Sequence, residues 1–280
     1  MGDYILAVDG KPVSEMNNIY NALIGKADKQ VSLKVNSKPV SERSREVTIV
    51  PIGDEQTLYY YNWVQHNTDY VSEKTHGQVG YIHIPDMGVP GLNEFAKHFY
   101  PQLGKKALII DDRGNGGGNV SPMIAERLRR ELVMIDVHRN GQPVPNPTGM
   151  HVGPKVLLTN KYSASDGDIF PYRFRQYKLG KIIGERTWGG VVGIRGFMPI
   201  DVDGGFLSTP EFAPYSKDGK EWVIEGRGVT PDIAVENEPA KEMAGVDQQL
   251  DRAIEEVMKD LNNAKQTLPL PPAPAYPDKH

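Results

Sequence analysis

Two short stretches hold the residues that could do chemistry. "ALIIDDRGNGGGNVSPMI" (107–124) and "KVLLTNKYSASDGDIF" (155–170) share one grammar: an apolar strand, a tight polar turn, then a helical pattern. In the first, three consecutive glycines, Gly116 to Gly118, free the backbone for unusual dihedrals and close approach to a ligand. Their N–H groups would stand at the start of the next helix, a natural anion or oxyanion site. A phosphate loop needs a lysine and a hydroxyl after the last glycine, and Asn119 and Val120 follow instead. "GNGGGN" also lacks the GxGxxG spacing of a dinucleotide fingerprint. In the second stretch a serine, Ser163 or Ser165, stands at a strand-to-helix turn. There the positive end of a helix dipole would stabilise developing negative charge. Taken alone, such a serine reads as an N-cap, and the usual GxSxG elbow is absent. The pairing with the glycine turn changes the balance. Two βα units offer one hydroxyl and two N–H donors at the carboxyl edge of a parallel sheet, where ligands gather.

The elements that must position these residues are readable around them. From Gly77 onward strands and helices alternate: "VGYIHI", "LNEFAKHF", "KALIIDDRG", "VSPMIAERLRREL", "KVLLTN", "DGDIFPYRFRQY" and "KIIGE". That order predicts an α/β fold with a mostly parallel sheet. Pro171 is placed near the first turn of its helix, where it is tolerated. "IRGFMPI" and "GGFLSTP" predict a hairpin, and residues 246–262 a last amphipathic helix. The proline-rich end, 266–280, predicts an extended tail. Residues 54–73 predict a connecting helix with an aromatic face, with Asp54 as its N-cap. Before it, "YILAVDGKPV", "MNNIYNALIG", "QVSLKVNS" and "REVTIVPI" read as strand and turn, helix, strand, strand.

The bulk numbers exclude several classes. A chain of 280 residues allows one large domain or two smaller ones. A net charge of −4 gives no sign of nucleic-acid or anionic-membrane binding. The absence of cysteine excludes disulfides, thiolate catalysis and cysteine-based metal sites, and leaves the compartment open. No apolar run of about 18 residues predicts a transmembrane helix. "MGDYILAVDG" is not a secretory signal, and its abrupt start in a strand suggests a piece of a longer protein.

Two resemblances follow from these motifs. Residues 1–52 are similar to the second half of a PDZ module, whose opening strand and carboxylate-binding loop would lie before residue 1. "DDRGNGGG", "NKYSASDGDIF", "GERTWGG", "EGRGVTPDIAVEN" and "GYIHIPDMG" together resemble the core of the tricorn-type serine proteases, relatives of the C-terminal processing peptidases. The likeness covers roughly residues 54–265. It implies a Clp-protease/crotonase-like ββα core at 76–265 preceded by a truncated PDZ module. It also implies Ser165 as nucleophile, the N–H groups of Gly118 and Asp166 as oxyanion donors, and Glu225 as the carboxylate that orients a histidine base. Asp136, with Gly117, is implied in substrate binding, Asp136 favouring basic residues at the cleavage position. Peptides would be the substrates, the remainder of the same protein and further copies the partners, and no metal or cofactor is implied.

The base is the difficulty. The Ser–Lys relatives carry their lysine in a "TFGKG"-like turn, and here "TWGGV" puts Gly190 in its place. The tricorn-type histidine comes from a Ser-His pair ahead of the PDZ module, and this chain has no Ser-His dipeptide. Of its seven histidines, His83 on "YIHIP" is expected to be a satisfied structural residue and His280 is terminal. The sequence thus predicts half of an active site, with little activity by itself. A non-enzymatic peptide-binding scaffold and a crotonase-like acyl-CoA enzyme stay open as alternatives.

Overall fold

The computed structural model describes residues 2–139, 141–199 and 204–263. The proline-rich tail and His280 lie outside them. The chain forms two units, Met1–Val64 and Gln65–His280.

In the smaller unit, β1 (Tyr4–Val8) and β2 (Lys11–Pro12) flank the Asp9-Gly10 turn. Both turn residues take positive φ, 47° and 80°, as a tight hairpin requires. β3 (Val31–Asn36) and β4 (Arg45–Ile49) complete an antiparallel sheet in the order β2-β1-β3-β4. Ala7, Val8, Val31 and Val35 are its buried apolar residues. The helix expected in "MNNIYNALIG" is only a 3₁₀ turn, Ile19–Ala22. Asn18 caps it by accepting from Tyr20 N at 2.9 Å, but Tyr20 and Ile24 stay exposed. With no apolar face buried, so short a segment cannot sustain an α-helix.

α1 (Gln56–Lys74) begins in the smaller unit and ends in the larger one. Asp54 caps it, accepting from Gln56 N at 2.6 Å. The larger unit is built on β5 (Val79–His83), β6 (Ala107–Asp111), β9 (Lys155–Thr159), β10 (Gly180–Gly184) and β13 (Ile233–Ala234). All their pairings are parallel and neighbours follow chain order. Strand alternation sends Ile82, Leu108, Ile110, Leu157 and Ile182 to one face. There they pack on α2 (Val89–Phe99), α3 (Ser121–Leu128) and α4 (Asp166–Gln176) through Phe95, Phe99, Ile124, Phe170 and Phe174. Val79, Tyr81, Ile109, Val156 and Ile183 face the other way, onto Val71 of α1 and Leu250, Ala253 and Val257 of α6 (Gln248–Asn263). With both faces covered, the strands read as continuous apolar runs.

Three details depart from the sequence reading. α3 stops at Leu128 rather than running to Leu132, because Leu132 and Val133 find no apolar surface and stay exposed. Pro171 is the sixth residue of α4, inside the helix and buried, not in its first turn. A two-stranded ribbon, β7 (Met134–Asp136) with β8 (Val144–Asn146), went unread, as did the short α5 (Pro239–Met243). The expected hairpin is β11 (Gly193–Pro199) with β12 (Phe206–Phe212). Among the described residues no helix is long and apolar enough to cross a membrane.

Candidate active site

Ser165 occupies the N-cap position of α4, but its side chain makes no capping hydrogen bond. Its backbone sits at φ 56°, ψ −120°, a conformation that L residues adopt only under constraint from their surroundings. The constraint comes from the glycine turn. Ala164 N donates to Asn115 O at 2.8 Å. A Cβ on Gly167 would lie 2.4 Å from Asn115 O, and one on Gly117 (φ 100°) would lie 2.6 Å from Ser165 Cβ. The two turns are therefore pressed backbone to backbone, and neither glycine position has room for a side chain. Gly118, at φ 149°, is packed as closely against Met87 O, and Met87 N donates to Gly117 O at 2.8 Å.

This packing leaves donors over. Among the described residues, the backbone N–H groups of Gly118 and Asp166 donate to no protein acceptor. The Asp166 carboxylate has a separate task that the sequence reading missed. It accepts from Ser121 N (2.9 Å) and Ser121 Oγ (2.5 Å), capping α3 from the first turn of α4. Ser163 is fully buried, donating from Oγ to Asp112 O at 2.8 Å, with Asn160 N donating to Oγ at 3.3 Å.

The loop between β10 and β11 is fastened to this turn. Trp188 N donates to Ser163 O (3.0 Å), and Gly189 N to Asp168 Oδ1 (2.7 Å). Gly226 N donates to Gly189 O at 2.7 Å, which brings in the segment around Glu225. Glu225 Oε2 accepts from Val191 N (2.7 Å) and Val192 N (2.9 Å). A chain of hydrogen bonds thus runs from the Ser165 turn through 187–192 to Glu225. Asp168 is the fully buried link, and its role was also missed; the signal available was a second acid in the first turn of a helix.

Asp136 stands apart, half-buried on the β7–β8 ribbon, with Oδ2 accepting from Asn146 Nδ2 at 3.0 Å. The histidines stand apart as well. His83 is buried with Nε2 3.0 Å from Arg113 O, and burial lowers its pKa, keeping it neutral. His151 Nε2 lies 2.9 Å from Lys105 O, and burial pushes its pKa down to about 4. His98 pairs with Glu94 on α2. Among the described residues no hydrogen bond joins a histidine to Ser165.

Residues 78–235 match the model of peptidase family S41. The chain belongs to that family. Residues 1–54 match the tricorn protease PDZ domain, so the α/β peptidase core is preceded by a PDZ-type unit. Among S41 relatives, the tricorn protease of Thermoplasma volcanium is 43% identical over 96% of this chain and 26% of its own length. The tricorn protease homolog of Saccharolobus solfataricus is 44% identical over 93% of this chain and 24% of its own. A crystal structure of the tricorn protease superposes with a TM-score of 0.85 at 40% identity, over 94% of this chain and 25% of that one. The chain spans about a quarter of the length of the curated relatives it matches.

Proposed function

We propose that this chain carries the nucleophile-bearing half of a serine peptidase site that hydrolyses peptides through an acyl-enzyme. Ser165 Oγ attacks the scissile carbonyl, and the N–H groups of Gly118 and Asp166 receive the oxyanion. The observation that carries this reading is the Ser165 backbone. A serine that merely capped α4 would relax into the extended region and accept from the helix N–H groups. This one is held at positive φ, makes no cap, and adjoins two unused donors.

Glu225 orients the base, and the base is a histidine supplied by residues outside these 280. A serine without a base is a weak nucleophile, so the chain alone should turn over peptide slowly or not at all. Asp136 and Gly117 belong to substrate binding, Asp136 favouring a basic residue at the cleavage position. The working form is a homo-oligomer of the full-length protein, checked by its mass in solution.

Labelling with a fluorophosphonate tests the core of this. In the full-length protein the label should map to Ser165 and vanish in Ser165→Ala while the fold persists. Labelling undiminished in that variant, or robust peptidase turnover by the isolated chain, would overturn the assignment of nucleophile or base respectively.

A further inference from the structure

A cleft of about 320 Å³ opens between α4 and the loop that leads to Glu225. Ile169, Tyr172 and Arg173 line it from α4, and Tyr215, Lys217 and Val223 from the loop. It therefore lies between the two elements that carry the proposed nucleophile and the proposed orienting carboxylate. Ile169, Tyr172, Arg173 and Gln176 follow Ser165 at i+4, i+7, i+8 and i+11, one stripe along the helix that runs up to the N-cap.

The charge of this cleft is one-sided. Its two formal charges, Arg173 and Lys217, are both positive, and no carboxylate lines it. Neither makes an ion pair or side-chain hydrogen bond among the described residues, and Arg173 Nε is shut off from water without an acceptor. Arg173 is half-buried in the cleft wall, and a guanidinium without a carboxylate partner offers a charge-assisted bond to one that enters the cleft. Around it, Ile169, Val223 and the rings of Tyr172 and Tyr215 offer apolar surface. The Tyr215 ring is braced edge-on by Trp222, at 4.9 Å between centroids.

Arg173 stands eight residues from Ser165, or about 12 Å along a helix rising 1.5 Å per residue. An extended peptide covers that span in about four residues. We propose that the cleft is a specificity subsite that takes an acidic side chain flanked by an apolar one, about three to four residues from the scissile bond of an extended peptide. The proposal rests on Ser165 being the nucleophile.

The test uses full-length protein and quenched fluorescent peptides in which Glu, Gln or Lys is stepped through four positions on each side of one cleavage point. Glu at the third or fourth position, on one side, should raise kcat/KM about tenfold over Gln. The gain should come through KM and shrink with added salt. Arg173→Met should abolish that preference, bringing the Glu and Gln peptides to equal kcat/KM. Lys217→Glu, a change on an exposed loop that folding tolerates, leaves Arg173 facing a carboxylate and should remove most of the preference. No Glu preference at any position, or a preference that survives both substitutions, would overturn the subsite. Binding to Ser165→Ala separates the two readings. A Glu peptide that binds about tenfold tighter than its Gln twin supports the subsite even if Ser165 fails to label, and equal affinities refute it.

Discussion

Asp111 and Asp112 are neighbours at the end of β6, and both are completely buried. They could hardly be treated more differently. Asp111 Oδ1 accepts from Arg113 N (3.0 Å) and Nε (2.9 Å), and Oδ2 from Arg113 Nη2 (2.6 Å) and Tyr81 OH (2.7 Å). Arg113 continues to Asp247 and Gln249 at the start of α6, and Tyr81 OH accepts from Asn67 of α1. Asp112 has no partner on either oxygen. The Asn115 amide, which donates one Nδ2 proton to Ile84 O, is the single neighbour that eases the Asp112 carboxylate, and it is outweighed. Strand alternation explains the split, since consecutive residues leave a strand on opposite faces. Asp111 meets a guanidinium on the α1–α6 side. Asp112 is turned toward the two acids of the Ser165 helix, Asp166 and Asp168.

The two therefore titrate in opposite directions. Burial by itself would raise the Asp111 pKa, but the Arg113 charge and its hydrogen bonds outweigh that and hold it below 3.8. Burial, reinforced by Asp111, Asp166 and Asp168, pushes Asp112 well above 3.8, toward the neutral acid. A buried carboxylate is thus a fastening when an arginine meets it and a burden when other acids do.

The largest expected effect comes from breaking the satisfied side. Asp111→Ala removes the acceptor of Arg113 N, Nε and Nη2 and of Tyr81 OH, leaves buried Arg113 with Asp247 as its remaining counter-charge, and should destabilise the larger unit by about 3–5 kcal/mol, read as a lowered denaturation midpoint. A loss under about 1 kcal/mol would show that the network contributes little beyond packing. Relieving the unsatisfied side should act with the opposite sign. Asp112→Leu should stabilise by about 1–3 kcal/mol at neutral pH.

That gain should depend on pH in a direction the shift dictates. A folded-state pKa above the unfolded one means the folded chain holds the proton more tightly. The associated stability is complete below 3.8 and is lost as pH climbs toward the raised value. Asp112→Leu should therefore differ little from wild type in acid and gain steadily above it. Asp111 runs the other way: its contribution is present above 3.8 and falls away as pH drops through its lowered pKa. Midpoints measured across pH 3–8 for both variants should diverge, and parallel curves would sink the comparison.

Much of this region was legible in the sequence because it rests on local rules. Apolar runs punctuated by glycine mark the parallel strands, and the triple glycine and the serine turn mark the sheet edge where they meet. What could not be read depends on which face a buried polar residue takes and what it meets there. "DDRG" does not say that one acid will find Arg113 and the other nothing. Asp166 capping Ser121, 45 residues away in sequence, is likewise a product of the packing of α3 on α4. The family likeness pointed to Glu225, but not to the loop N–H groups of Val191 and Val192 that hold it.

Asp168 lies between the two extremes and gives the finest test. One oxygen accepts from Gly189 N, the other is buried without a partner, and burial raises its pKa. If its value lies in the single accepted bond, a neutral acceptor should serve as well. Asp168→Asn, with its amide oxygen toward Gly189, should stay within about 1 kcal/mol of wild type. Asp168→Ala removes the acceptor and should cost about 1–3 kcal/mol. The alanine variant should also speed amide exchange in residues 187–192, the loop that grips Glu225, while the asparagine variant leaves it protected. Such a split would place Asp168 with Asp111 as a fastening despite its acidic surroundings. Equal losses in both variants would mean that its charge, and not its geometry, holds the loop.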